Sequence, residues 1–245
     1  MKATISLGGS LLTGDKNDTT LTLTPEPYRT YATVLRQLHG LGHQLMVVCG
    51  GGKPARHYIQ VAKNLDASRS IQDMLGVKAT HINALLLTAA LGDAADQTRV
   101  YTRATELRYR QTGKIWVGGG YRPKSSTDYR AVLLARALGS DTVINATDVP
   151  GIYDSNPRTN PGARKLDMVT HAQLERIIKK STRQAPGEYG LFDLKAVKLA
   201  ARINMPLIFI DGRDPEELRR AVEGGHSGTV VKTKPPHVLI PASQR

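Results

Sequence analysis

The sequence predicts an α/β protein, a three-layer αβα sandwich around a mainly parallel open sheet. Three observations point there. Short apolar runs alternate with segments of helical spacing along the chain, the pattern of strands joined by crossover helices. The run at residues 45–49 is unbroken by polar residues, as a strand buried on both faces would be. Runs ending at residues 7, 49 and 117 pass straight into glycine. In sheets of this kind ligands bind at the carboxyl ends of the strands, so the three glycine turns belong on one edge.

Residues 2–7 form the first expected strand, closed by Gly8-Gly9-Ser10, and residues 13–24 read as a polar, Thr-rich loop. Thr24-Pro25 starts a helix in which Tyr28, Tyr31, Ala32, Leu35 and Leu38 share a face, and Gly40 and Gly42 end it. The second strand leads into Gly50-Gly51-Gly52. Pro54 suits the first turn of the next helix, about 53–65, because its missing N–H has no intrahelical partner there. Residues 70–92 carry the longest helical pattern, with a break in two expected at Gly76. A short strand is expected at Val100-Tyr101 and another at 115–117, followed by Gly118-Gly119-Gly120. Ser126 or Thr127 caps a helix running to Leu138. Residues 141–146 are a strand and 147–164, with three prolines and two glycines, a long functional loop. Helices follow over about 171–180 and 193–203, separated by a polar loop at 181–190. A strand at 206–210, a helix at 215–222 and a last strand at 229–232 complete one domain over 1–232. Residues 233–245, with Pro235-Pro236, read as a poorly ordered tail.

Composition narrows the function. No unbroken apolar run approaches ~18 residues, so no membrane span is expected. Met1-Lys2 leads directly into a strand pattern, unlike a signal peptide. The single cysteine, Cys49, cannot form an intrachain disulfide, and a cytoplasmic setting is expected. The net charge of +13 raises the question of nucleic acid. The basic residues are scattered and form no standard nucleic-acid module, so the surface is read as one that draws small polyanions such as nucleotides. The histidines are dispersed, and no metal-ligand cluster, Walker A motif or G-x-S-x-G elbow is present.

What remains is phosphate held by glycine backbone, helix N-termini and arginine. At 50–56 the glycines let the backbone approach a ligand, helix N–H groups point at it, and Arg56 offers a fork matched to phosphate oxygens. A tight βα turn needing glycine for geometry alone explains that stretch equally well. Three such turns on one edge favour the anion site. Phosphoryl transfer asks for little more than in-line positioning and stabilisation of charge on the moving group. Asp128, early in its helix, would orient basic groups or hold a metal.

Several motifs together make the chain resemble the amino-acid kinase superfamily, and within it the archaeal-type uridylate kinases. They are Ile5-Ser-Leu-Gly-Gly-Ser10, Gly50-Gly-Gly-Lys-Pro-Ala-Arg-His-Tyr-Ile59, Leu75-Gly-Val-Lys-Ala-Thr-His-Ile-Asn-Ala84, Ser126-Thr-Asp128, Ala146-Thr-Asp-Val-Pro-Gly-Ile-Tyr153 and Gly225-His-Ser-Gly-Thr229. The resemblance covers about residues 3–232. It implies transfer of the γ-phosphoryl group of ATP to UMP with Mg²⁺, in a homohexamer. By position, Gly8, Gly9, Ser10, Gly52, Arg56, Thr147, Asp148, Tyr153 and Asn156 would bind ATP. Gly51, Asp73, Tyr121, Arg122, Pro123, Lys124, Ser125, Ser126 and Thr127 would bind UMP, with Asp73 on the ribose hydroxyls. Arg56 and Asp128 would be catalytic.

The chain departs from the family pattern at six positions. Ser6 stands where many members carry a lysine, Lys124 replaces a glycine, and Pro150 replaces the aspartate and Asp148 the asparagine of Asn-Val-Asp-Gly. Asn156 replaces an aspartate, and Lys195 a small or apolar residue. Lys124 or Lys195 is expected to supply the charge missing at Ser6. The departures leave room for another small phosphate or carboxylate as acceptor, or for a non-catalytic nucleotide-binding homologue.

Overall fold

The structure is a computed structural model that describes residues 1–14, 22–157, 159–184 and 191–233, the last four residues of the 159–184 segment by backbone alone. Most of the anticipated 13–24 loop, of the 181–190 loop and of the tail beyond Thr233 lies outside the described residues.

The strands are β1 (Lys2–Leu7), β2 (Gln44–Cys49), β3 (Trp116–Gly118), β4 (Thr142–Thr147), β5 (Ile152–Tyr153), β6 (Lys165–Leu166), β7 (Met168–Thr170), β8 (Leu207–Asp211) and β9 (Thr229–Lys232). The α-helices are α1 (Gly9–Thr13), α2 (Glu26–Gly40), α3 (Gly52–Asn64), α4 (Arg69–Leu91), α5 (Thr127–Leu138), α6 (His171–Gln184), α7 (Leu194–Arg202) and α8 (Pro215–Glu223). Seven strands form one sheet in the order β3-β2-β1-β4-β8-β9-β7. All neighbours run parallel except β8 and β9, which are antiparallel.

The period-two alternation of each strand feeds two separate cores. Leu45, Val47 and Cys49 join Ile5, Val117 and Ile144 beneath α2, α4 and α8. Met46 and Val48 face the other way, with Val143 and Phe209, beneath α5, α6 and α7. Every residue from Leu45 to Cys49 is buried, as expected of a central strand covered on both faces. This is the three-layer αβα arrangement.

Five local expectations need correction. α4 is unbroken through Gly76, because that glycine serves a close helix approach: a Cβ there would stand 3.3 Å from Cδ1 of Ile59 on α3. Residues 9–13 form a short helix immediately after β1. The 147–164 segment contains a small antiparallel ribbon, β5 with β6. β7 pairs with β9 directly before α6. Val100-Tyr101 is no strand; Tyr101 makes a single isolated bridge to Gly118. The unforeseen strands are two or three residues long, too short to show a period.

The stretch Arg69–Ala94 is long and apolar enough to cross a bilayer by length and composition alone. The fold gives it another place. One face of α4, with Ala84, Leu87 and Leu91, is buried in the core, while Ile71, Ile82 and Leu85 stay exposed.

Candidate active site

Strand order places the carboxyl ends of β3, β2, β1, β4 and β8 side by side, so the segments that follow them meet on one edge. There the β1 and β2 turns touch backbone to backbone. A Cβ on Gly9 would sit 2.6 Å from Cα of Gly52, and one on Gly50 2.5 Å from the Gly9 nitrogen. Gly52 has φ of +61°, and a side chain on it would strike Thr13 and the Gly9 carbonyl. Glycine at 9, 50 and 52 is therefore imposed by this contact. Gly8 ties the same edge to β4, its N–H donating to the Ala146 carbonyl at 2.9 Å.

Side chains of α4 and α1 hold the turns in place. Asn83 Nδ2 donates to the Gly50 carbonyl at 2.7 Å, and Tyr28 Oη fixes Asn83 by donating to its Oδ1 at 3.0 Å. Thr80 Oγ1 accepts from Gly120 N at 2.7 Å, and His81 Nε2 lies 2.6 Å from the Gly120 carbonyl. Thr13 Oγ1 accepts from Lys53 N at 2.9 Å. Sequence reasoning gave none of these residues a role. The spacing of Gly76, Thr80 and Asn83, which puts them on one helical face, is the signal that was there to use.

Between α3, α4 and the segment after β3 lies an open cavity of about 570 Å³. Its walls include Gly51, Gly52, Arg56, Asp73, Lys124 and Thr127, and also Asp193, which had no expected role. Most of the expected acceptor residues thus meet in one place; Arg122, Pro123, Ser125 and Ser126 line it too. Tyr121 does not, and faces a neighbouring cavity. Asp73 forms an ion pair with Arg69, 3.3 Å away and one helical turn before it. α3 opens toward the cavity with Gly51 at its N-cap; the Lys53 N–H goes to Thr13 Oγ1, Pro54 has none and the Ala55 N–H closes onto the Gly51 carbonyl, so an anion there meets the Gly52 N–H and the positive end of the helix dipole.

The residues expected on ATP are divided. Gly52 and Arg56 line this cavity. Gly8, Gly9 and Ser10 follow β1, Thr147 and Asp148 stand at the end of β4, and Tyr153 lies in the β5–β6 ribbon with Asn156 just beyond. These seven do not line the cavity. They extend along the same strand-end edge on its β4 side.

Asp128 sits where β1, α5 and α7 meet. Its Oδ1 accepts from Ser6 Oγ at 3.0 Å and its Oδ2 from the Asp193 N–H at 3.2 Å. Burial pushes its carboxyl up to about 6, against the pull of these two hydrogen bonds. Asp193 in turn caps α7, accepting from Lys195 N and Ala196 N. Ser6, expected only as the site of a missing lysine, holds this carboxylate. Ser126 caps α5 as expected, accepting from Tyr129 N at 3.1 Å. Among the described residues no group of three or more His, Cys, Asp or Glu is placed to hold a metal.

The profile of the amino acid kinase family matches residues 1–211, six-sevenths of the chain. The chain belongs to the amino acid kinase family. Its curated relatives include a uridylate kinase of Methanoculleus marisnigri, 42% identical over 232 residues, which make up 94% of this chain and 95% of that one. Another, from Methanobrevibacter smithii, is 36% identical over 96% of this chain and all of its own length. Among solved structures, uridylate kinase from Archaeoglobus fulgidus superposes with a TM-score of 0.79 at 33% identity, covering 94% of this chain and 100% of that one. The family's fold is thus the αβα arrangement described above.

Proposed function

We propose that this chain is an ATP-dependent UMP kinase, a single amino-acid kinase-like domain over 1–232 that acts in the cytoplasm. The observation that carries the reading is the convergence of Gly51, Gly52, Arg56 and Asp73 with the 122–127 segment on one cavity, in a chain whose relatives are uridylate kinases. UMP would lie there with its ribose toward Asp73 and its phosphate toward Arg56 and the start of α3. ATP would lie along the strand-end edge from Gly8, Gly9 and Ser10 to Thr147 and Asp148, with Tyr153 and Asn156 at its outer part.

An oxygen of the UMP phosphate attacks the γ-phosphorus, the bond to the β-phosphate oxygen breaks, and UDP and ADP result. The protein holds the two phosphates in line and offsets the charge that spreads over the moving group. Arg56 presents paired N–H donors to it. Asp128, fastened by Ser6 and the start of α7, fixes the relation of β1, α5 and α7 around the reacting groups. Lys124 lines the cavity and Lys195 does not, which favours Lys124 as the source of the charge absent at Ser6. Mg²⁺ supplies further charge neutralisation when it enters with ATP. Asp128 and Asp193 are the carboxylates that would hold it.

The exposed apolar face of α3 and α4 supports a homo-oligomer, with a hexamer as the proposed state. Leu65 is 75% and Leu85 57% accessible, with Ile71, Ile82 and Val61 beside them. Scattered exposed apolar residues are ordinary, but a run along two paired helices marks an interface. Measuring ADP release with Mg²⁺ and ATP against UMP, CMP, isopentenyl phosphate and N-acetylglutamate tests the reading. UMP is expected to be turned over at least about tenfold better than the rest by kcat/KM. Preference for another acceptor would transfer the site to that substrate, and ATP binding without turnover would make the chain a non-catalytic homologue.

A further inference from the structure

Arg130 is a cation placed where no local feature favours it. It lies in the first turn of α5, at the positive end of the helix dipole. It is 6% accessible, and its Nε is buried without a hydrogen-bond partner. Among the described residues its side chain makes one hydrogen bond, a long one of 3.3 Å from Nη2 to Ser125 Oγ. The Tyr121 ring stands 4.9 Å from its guanidinium carbon and is shared with Arg122 at 5.9 Å and Arg103 at 5.8 Å. Arg103 is paired with Glu106 at 2.9 Å. Among the described residues neither Arg122 nor Arg130 forms an ion pair, and Glu106, already paired with Arg103, reaches Arg130 only at longer range. A buried charge without a paired counter-ion is costly, and the exposed Arg122 charge beside Arg130 raises that cost.

Tyr121, Arg122 and Arg130 line a cavity of about 660 Å³ that shares the 122–126 segment and Asp193 with the acceptor cavity but reaches neither Arg56 nor Asp73. Lys124 and Lys195 add two more cations to its wall. Asp193 is its one acid, and Oδ1 of that residue already accepts two backbone hydrogen bonds at the start of α7. The wall therefore holds four cations against a single carboxylate.

We infer that this cavity is a second anion site, distinct from the acceptor cavity, built to take a pyrophosphate or longer polyphosphate group between Arg130, Arg122 and Lys195. One phosphate meets the orphaned Arg130 guanidinium, and the neighbouring phosphate bridges Arg122 and Lys195. The ligand shares the 122–126 segment with the acceptor cavity, so occupancy stiffens a wall common to both.

Calorimetric titration of the full chain tests this, using inorganic pyrophosphate, tripolyphosphate and a nucleoside triphosphate. The chain is first saturated with adenosine-uridine pentaphosphate, which fills both proposed substrate sites. One further anion equivalent is expected to bind, weakened about tenfold or more by Arg130→Met and by Lys195→Ala. Equal affinity for tripolyphosphate and the triphosphate assigns a free polyphosphate; tighter triphosphate binding assigns a nucleotide. Lys195 is exposed, so its variant reports even where the buried substitution fails to fold. Failure of the pentaphosphate itself to bind counts against the proposed kinase reading. The anion titrations with the two variants then still decide this inference, which is overturned if neither variant changes them.

Discussion

Asp128 shows how one side chain is set by three segments of sequence far apart. Its hydrogen bonds come from Ser6 and from the backbone of Asp193, while burial raises its carboxyl to about 6. A folded-state value above the unfolded one of roughly 4 means that the protonated form favours folding. That contribution is fully present below the unfolded value and is lost as pH rises through about 6. Urea denaturation of Asp128→Asn, which stays neutral throughout, should therefore show a stability advantage over the wild type that appears between pH 4 and 7. The same variant should lose most of its kinase turnover, as expected where a strained ionised group serves function; unaltered turnover would remove Asp128 from the machinery. Lys124 carries a comparable tension. Its φ is +62°, a backbone conformation that L side chains adopt at a cost of about 1 kcal/mol. Lys124→Gly should raise thermal stability while raising KM for the acceptor, and the opposite pair of changes would show that its charge has no part in binding.

At the scale of elements, the glycine turns are rigid because they lean on one another. Gly9→Ala would drive a methyl group into the Gly52 backbone, which cannot yield as a flexible side chain would. Destabilisation of about 1–3 kcal/mol is expected, the range of overpacking with backbone displacement, readable as a lowered urea midpoint. Asn83→Ala strands the Gly50 carbonyl and the Tyr28 hydroxyl together, at about 1–3 kcal/mol. Adding Tyr28→Phe to it should cost less than the two separate changes summed, since the hydroxyl has by then lost its acceptor.

These elements also show what could be read before any coordinates. The strands, the order of glycine turns and the cap at Ser126 were legible because each rests on local chemistry: apolar runs, backbone freedom, a hydroxyl near free N–H groups. β5, β6 and β7 were not, since two or three residues carry no periodicity. Arg56, Asp73 and the 122–127 segment, singled out from the motifs, lie together on one cavity. Asp193 and Asn83 escaped notice because their partners stand 65 and 55 residues away, Asp128 and Tyr28, while Arg130 escaped because burial without an ion pair is visible only once the chain is folded.

For the whole molecule, two cores on opposite faces of one sheet leave a helical pair with an apolar outer surface. Leu85→Glu on α4 places a charge in the middle of that surface. Sedimentation velocity should then show a smaller assembly than the wild type, with far-UV circular dichroism unchanged; an unchanged sedimentation coefficient would move the interface elsewhere on the protein.

The touching backbones of Gly9, Gly50 and Gly52 have a consequence for how such a chain can change over generations. Two loops proposed to serve different substrates have no gap between them, so neither can accept a bulkier residue unless the other moves first. Drift at these three places must be concerted, and a saturation library should find almost no tolerated single replacements there, while the exposed His57 and Gln60 on α3 accept many.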